Sequence, residues 1–517
     1  MRVPIAPGLQ GAQSTLVHPP GRRGAVASIK RQAVSSSLWV TGARLVARSL
    51  DQVLLIVLAR LLVPEDFGII AMAGVFTRML GLFSTMGVTP AIVQRLSVDD
   101  EFLSTVFWGN FATGIGFTLV GVGIAGAIGR FYNAPLVGAV FSALSLRFVL
   151  SGMSAIPNGL FGRQMRFALM EVREIVGVAI GGITGVALAL GGAGVWSLVV
   201  QVVVGDVART LLLWQATSWR PRRVFLWARF RELWAFGGQM LGSQVSNYAV
   251  KYFDNLLIGK ALGAVMLGYY SFAYSLFLAP LIDIALTVGR VTFSAFSRLQ
   301  EDAQRLRRGF LLTTQYVGLC AAPVLVGIFL TAPDLIRLVF GAKWMPAVPV
   351  LRILTVAGFI KSQAIVWNAI LPAVGRVDVL FKLSVGSALI YLPAFFVGLR
   401  WGIVGVAAAY TFSTVILVPW QLVLVRRVLA LRMRDYLAAL RPSILACAVM
   451  GGCVVLGQEW STRLGIPAPA RLAAAVGVGM VSYASAVALI QRDLVLDVAQ
   501  GITRFRAARH NRANEAV

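Results

Sequence analysis

The sequence predicts an all-α polytopic membrane protein with about fourteen transmembrane helices. Three observations predict it. Hydrophobic residues make up 58% of the chain and charged residues only 13%, where a soluble protein carries about a quarter charged. The apolar stretches are helix-length, about twenty residues or more, and lack the roughly ten-residue alternation of a membrane barrel. Lys and Arg gather mostly in the short loops between those stretches, the pattern that orients membrane helices.

Taken in order, residues 1–34 are rich in Pro, Gly, Ser and Arg. They lack the short apolar core of a signal peptide and are expected to form a disordered, basic cytoplasmic tail. Apolar windows then place spans near 35–62, 67–93, 102–129, 135–158, 172–190 and 193–215, an N-lobe over 35–216. A C-lobe over 236–427 holds spans near 236–259, 265–294, 310–331, 345–371, 378–399 and 402–425. Two more, 441–457 and 469–490, fall in 428–491, and 492–517 is a second cytoplasmic tail. Between the lobes, 217–235 interleaves Arg220, Arg222, Arg223, Arg229 and Arg231 with Phe225, Trp227, Phe230 and Trp234. That composition predicts a basic amphipathic helix lying on the inner leaflet. Most Lys and Arg fall on the side of the termini, so both termini are expected in the cytoplasm.

The net charge of +26 points to no nucleic-acid partner, because it is spread through membrane-flanking loops. The two histidines, His18 and His510, stand in polar tails, which excludes histidine catalysis or metal binding within the membrane. Cys320, Cys447 and Cys453 lie singly in apolar segments and read as small core residues. No metal and no cofactor are expected, and no phosphate-binding Gly-rich loop ending in Gly-Lys-Ser/Thr is present.

The chain repeats itself after about 200 residues. Arg60, Phe67, Gly68 and Ala73 match Lys260, Leu267, Gly268 and Ala273, and Arg95-Leu96 matches Arg298-Leu299. Gly191 and Gly194 match Gly402 and Gly405. Six spans per unit is an even number, so the repeats are parallel, as in transporters that rock two bundles about a central site.

On these stretches the chain resembles a known family. The run Leu58 to Gly68, the pair Asn247-Tyr248, the run Asp254 to Lys260 continuing to Leu267–Tyr270, and Phe293 to Gln300 are similar to Wzx-type polysaccharide exporters. These are the lipid-linked oligosaccharide flippases, colanic-acid-exporter-like, of the multidrug/oligosaccharidyl-lipid/polysaccharide superfamily. The resemblance covers roughly 35–490. It implies two six-helix lobes plus two C-terminal helices, and no enzymatic activity. It further implies that a polyprenyl-diphosphate-linked oligosaccharide moves from the inner to the outer leaflet of the bacterial cytoplasmic membrane, with polysaccharide polymerase and export machinery as candidate partners. The alternatives are a multidrug cation antiporter of the same superfamily, which would want more buried carboxylates, and a membrane glycosyl polymerase or ligase, which would want a large external loop.

The candidate site residues are cations at bilayer depth. Each costs about 2.5–3.5 kcal/mol to insert, so it persists with a partner or in a wet cavity. Arg44, Arg48 and Asp51 share one face of the first helix. Arg78 lies mid-way in the second, Lys251 and Asp254 share a face of the seventh, and Arg290 follows Asp283 on the eighth. Arg44, Arg48, Arg78, Lys251 and Arg290 are the expected contacts of an anionic headgroup, because guanidinium pairs with phosphate oxygens and keeps its charge. Asp51, Asp254 and Asp283 are the expected coupling or charge-pairing acids. The repeat sets Lys251 opposite Asp51, a possible pair between lobes. Arg147, Arg352, Lys361 and Lys382 are also deep. The interior counts Asp51, Asp206, Asp254 and Asp283 as its clear acids, so it is positive on balance.

Overall fold

The computed structural model describes residues 22–84, 92, 99–164, 166–299 and 302–492. Among them there is no strand, as the all-α reading requires. In chain order the helices are α1 (Arg22–Leu61), α2 (Pro64–Ser84), α3 (Asp100–Tyr132), α4 (Pro135–Arg163), α5 (Phe167–Leu190) and α6 (Val195–Ala216). There follow α7 (Trp227–Arg298), α8 (Ala303–Leu335), α9 (Ala347–Ala373), α10 (Val377–Gly398), α11 (Gly402–Leu429), α12 (Met433–Arg463) and α13 (Ala468–Ile490).

Eleven described stretches are long and apolar enough to cross a membrane, against about fourteen expected. The difference has local causes. The seventh and eighth spans run together as α7, while α10 and α11 join through the short turn Leu399–Trp401 into one apolar stretch, Lys382–Leu429. The first helix carries Arg44, Arg48, Asp51 and Arg60 and is too charged to qualify. It also begins at Arg22, earlier than the expected 35. Residues 1–21 and 493–517, the rest of the two tails, lie outside the described residues.

The repeat is visible at one end of the bundle. Gly263, with φ 83°, breaks α7 into two arms at the position matching the α1–α2 break. The arms, 227–262 and 264–298, therefore correspond to α1 and α2. Contacts across this seam are reciprocal. A Cβ on Gly68 would stand 1.8 Å from the Ala264 carbonyl oxygen, and one on Gly268 would stand 1.9 Å from that of Pro64. Only glycine lets the two backbones approach so closely. The Arg60 guanidinium donates to the carbonyls of Leu338 and Val339 just beyond α8, while the Lys260 ammonium donates to the Phe131 carbonyl near the end of α3. Each cation thus sits at the negative end of a helix in the other lobe. Trp344 is fully buried in the seam, stacked on Phe272 at 4.1 Å, and its Nε1 donates to the Ala59 carbonyl at 2.8 Å. Further on, Gly194 and Gly402 open α6 and α11 with φ of 55° and 66°. This geometry pairs Gly402 with Gly194 rather than with Gly191.

The linker departs from expectation. Residues 217–226 are extended, and helix begins only at Trp227. Pro221 offers no backbone N–H and disfavours a helical Arg220. The segment docks on α3 instead. The Arg222 and Leu226 amides donate to Ser104 Oγ at 3.0 Å and Thr105 Oγ1 at 3.2 Å, and Trp108 Nε1 donates to the Arg222 carbonyl at 2.8 Å. Arg222 also pairs with Asp100 at 3.0 Å. The first part of the expected helix, 217–226, is thus a strap, and the rest, from Trp227, is helical.

The last two helices attach to the C-lobe through α8. Arg471 grips Asp334 with two bonds of 2.9 and 2.6 Å, and Tyr483 donates to the Leu319 carbonyl at 2.7 Å.

Candidate functional site

Each lobe holds a polar cavity. The N-lobe cavity, about 340 Å³, is lined by α2, α4, α5 and α6. Its charges form a chain in which arginine and carboxylate alternate. Arg147 Nε meets Asp206 Oδ2 at 2.5 Å, and Arg209 meets Asp206 Oδ1 and Glu174 Oε1 at 3.0 Å each. Arg173 closes the chain, 3.7 Å from Glu174 and donating to Asn158 Oδ1 at 2.6 Å. Asp206 and Arg209 are one turn apart on α6, so their pairing is local. Reaching Glu174 needs close helices. A Cβ on Gly177 would fall 2.4 Å from Arg209 Cγ, and one on Gly181 2.4 Å from the Gln201 carbonyl oxygen. These glycines of α5 make room for α6 and its arginine.

The chain does not balance. Arg147, Arg173 and Arg209 face Asp206 and Glu174, and Arg78 joins the same cavity wall from α2. Arg173 Nε and Arg209 Nε are buried and have no acceptor among the described residues. Two guanidiniums therefore keep a donor open, which costs free energy unless an acceptor arrives.

The C-lobe cavity, about 240 Å³, is built differently. Asp254 is buried and closed off. It accepts Tyr270 Oη at 2.8 Å on one oxygen and its neighbour Asn255 N at 2.8 Å on the other. Lys361 Nζ stands over the rings of Tyr391 and Tyr410, 5.0 and 5.3 Å from their centroids. Tyr391 and Thr414 share a hydrogen bond of 2.9 Å. Ser384, Ser387 and Gln421 complete a wall of neutral polar groups.

One ring joins the two cavities. Arg78 Cζ lies 5.2 Å and Lys251 Nζ 5.3 Å from the centroid of Tyr252. One cation comes from each lobe, and the π face holds both. Tyr248, one turn earlier, donates to the Val75 carbonyl and ties α7 to α2.

The expected site residues thus fall into groups. Arg78 and Lys251 line the two cavities and meet at Tyr252. Asp254 lines the C-lobe cavity. Arg44 is paired with Glu171 of α5 at 2.6 Å and lines neither cavity. Asp51 lies in the field of Arg209, Glu174 and Arg48, and no ion pair joins it to Lys251 among the described residues. The side chains of Arg290 and Asp283 lie outside the described residues. Of the other deep cations, Arg147 and Lys361 line cavities, whereas Arg352 faces outward. The interior acids also include Glu171 and Glu174, which the sequence count omits. Arg173, Arg209 and Tyr252 are cavity or boundary residues that sequence reasoning missed. The Asp206–Arg209 spacing was a usable signal, the same one that singled out Arg48 and Asp51.

Comparison with known proteins now settles the family. The family model described as "Polysaccharide biosynthesis protein" matches residues 57–349. The chain belongs to this family. It is 27% identical over 80% of its length to the lipopolysaccharide biosynthesis protein WzxC of Escherichia coli K12, covering 85% of that protein. To the teichuronic acid biosynthesis protein TuaB of Bacillus subtilis it is 26% identical over 88%, covering 95%. To the succinoglycan biosynthesis transport protein ExoT of Rhizobium meliloti it is 29% identical over 63%, covering 66%. These relatives bear out the Wzx-type resemblance. Among solved structures, the lipid II flippase MurJ in an inward closed conformation superposes with a TM-score of 0.70 at 16% identity, covering 89% of this chain and all of that one. An inward-facing multidrug MATE transporter of the MOP superfamily gives 0.60 at 16% identity, over 74% and 94%. At these identities the likeness is one of fold.

Proposed function

We propose that the protein flips a polyprenyl-diphosphate-linked oligosaccharide from the inner to the outer leaflet of the cytoplasmic membrane, for surface polysaccharide export. The observation that carries this reading is the excess of cations at the lobe boundary. Arg78, Arg147, Arg173 and Arg209 face two carboxylates, and Lys251 and Lys361 continue the positive wall into the C-lobe. A diphosphate supplies the negative charge that this set of cations lacks. The neutral hydroxyls and rings of the C-lobe cavity suit a sugar headgroup. The names of the relatives support the substrate class.

In this reading both termini are cytoplasmic, and the glycine seam closes the outer side while the cavities serve the inner leaflet. Entry of the headgroup gives Arg78 and Lys251 a stronger partner than the Tyr252 ring. The lobes then rock about the site and part at the seam. Moving each negative charge out of a negative cytoplasm gains about 2.3 kcal/mol per 100 mV, so the membrane potential favours export. Asp254, sealed by Tyr270, is the group best placed to couple a cation or proton to the C-lobe. Arg44 and Arg48 with Asp51 support the cavity from α1.

Reconstitution into liposomes tests the proposal. The expected outcome is transbilayer movement of a polyprenyl-diphosphate oligosaccharide, accelerated by an inside-negative potential where the lipid starts inside. Expulsion of a cationic dye without movement of the lipid would replace this reading with that of a multidrug antiporter.

A further inference from the structure

A third cavity lies on the outside of the C-lobe, apart from both polar cavities. It is a groove of about 720 Å³ between α8, α9 and α11, lined by Phe329, Arg352, Ile353, Val356, Phe412 and Val415 among others. Phe412 is 67% exposed, so the groove opens toward lipid. Its one charged residue is Arg352. The guanidinium donates from Nε to the Phe329 carbonyl at 3.1 Å and lies over the Phe329 ring, 5.7 Å from the centroid. Arg352 has no carboxylate partner among the described residues, so its two terminal nitrogens are unclaimed.

The depth is informative. Arg352 stands about 8 Å along α9 from its first residue, at 1.5 Å per residue. Phe329 is at a similar depth from the end of α8, which lies at the same face of the bundle. On α9 and α11 the groove then runs inward, past Ile353 and Val356 and past Phe412 and Val415. An arginine at that level reaches the glycerol and phosphate layer by extending toward the surface, while the apolar wall continues beneath it.

We infer that this groove binds an anionic glycerophospholipid, with its phosphate on the terminal nitrogens of Arg352 and an acyl chain along Val356, Phe412 and Val415. A single guanidinium matches a single phosphodiester, two nitrogens to two oxygens. A diphosphate carrier would call for the clustered cations of the inner cavities. None of the groove residues lines either of those cavities, so the inference stands apart from the transport reading.

The test is lipid retention by the purified full chain, measured by mass spectrometry after exchange into equal phosphatidylglycerol and phosphatidylcholine. Wild type should retain phosphatidylglycerol about fivefold over phosphatidylcholine, the scale of one basic residue at an anionic surface. Arg352→Gln should level the two lipids, Arg352→Lys should keep part of the preference, and Val356→Trp should lose it by filling the groove with the arginine intact. An unchanged preference in Arg352→Gln, or none in wild type, overturns the inference. Displacement of the bound lipid by a polyprenyl phosphate, but not by added phosphatidylglycerol, overturns it in favour of the isoprenoid.

Discussion

In the N-lobe cavity, arginines alternate with carboxylates across three helices, Arg147–Asp206–Arg209–Glu174–Arg173. In the C-lobe cavity, the lysines stand against tyrosine rings, and the carboxylate is sealed by a hydroxyl and an amide. Both lobes come from one repeated plan, and at the seam the two copies still make matching contacts. The difference teaches where duplication stays symmetric. Backbone approach at the seam constrains both copies alike, whereas side chains in a wet interior are free to diverge. One lobe holds its cations in ion pairs, and the other holds them against aromatic rings.

Matched substitutions in the two lobes sharpen this contrast. At the seam they should behave alike. Gly68→Val and Gly268→Val each drive a branched side chain into a carbonyl at under 2 Å. Each should cost about 3 kcal/mol in the closed-seam state, and a cysteine placed at Leu62 should become reactive in both. A large effect in one copy alone would break the symmetry.

In the cavities they should differ. Asp206→Asn strips Arg147 and Arg209 of a shared carboxylate and should cost about 2 kcal/mol, less than a fully buried pair because its neighbours are part-exposed. Asp254→Asn keeps an acceptor for the Asn255 amide, and Tyr270 can turn its hydroxyl to accept from the new NH2, so it should cost about 1 kcal/mol. Thermal melting of the two variants in one detergent decides it, and equal shifts would remove the distinction.

Tyr252 belongs to the boundary. Tyr252→Leu should lower stability by about 1 kcal/mol through loss of two cation–π contacts, and Tyr252→Phe should be close to wild type. If Phe is as damaging as Leu, the hydroxyl and not the ring is what matters.

The smallest effect is expected outside the membrane, in the turn between α9 and α10. Arg376 bonds Asp378 twice, at 2.9 and 3.1 Å, and holds its carboxyl below the ordinary range. A depressed carboxylate contributes stability above its unfolded pKa and loses it as pH falls through the folded value. Because both groups are exposed the contribution is small, so Asp378→Asn should lower the melting temperature slightly at neutral pH and match wild type in acid, where the carboxyl is protonated.

Much of the fold was legible because membrane helices follow from apolar length and loop charge. The repeat was legible because glycines and cations at the seam are fixed by backbone contact, and so keep their spacing. What failed had physical causes. The linker composition suggests an amphipathic helix over 217–235, but Pro221 keeps 217–226 out of helix, and the acceptors that stretch docks on, Ser104 and Thr105, lie far back in the sequence. Arg44 was read beside Arg48 and Asp51 on one helix face, yet its partner Glu171 comes from α5, a pairing that no spacing within α1 reveals. Arg173 and Arg209 sit toward span ends, where a basic residue ordinarily serves orientation. Only the packing of α5 on α6 through Gly177 and Gly181 turns them inward.

The most direct test of the account is flipping of a polyprenyl-diphosphate oligosaccharide in liposomes by Arg78→Gln combined with Lys251→Gln. These residues meet at Tyr252 without a carboxylate between them, so their loss breaks no ion pair. The account expects normal insertion and a stability loss of no more than about 1 kcal/mol, that of the same two cation–π contacts, with flipping reduced at least about tenfold, the loss of one or more charge-assisted contacts to phosphate. Flipping at the wild-type rate would contradict the claim that the cationic boundary receives the diphosphate.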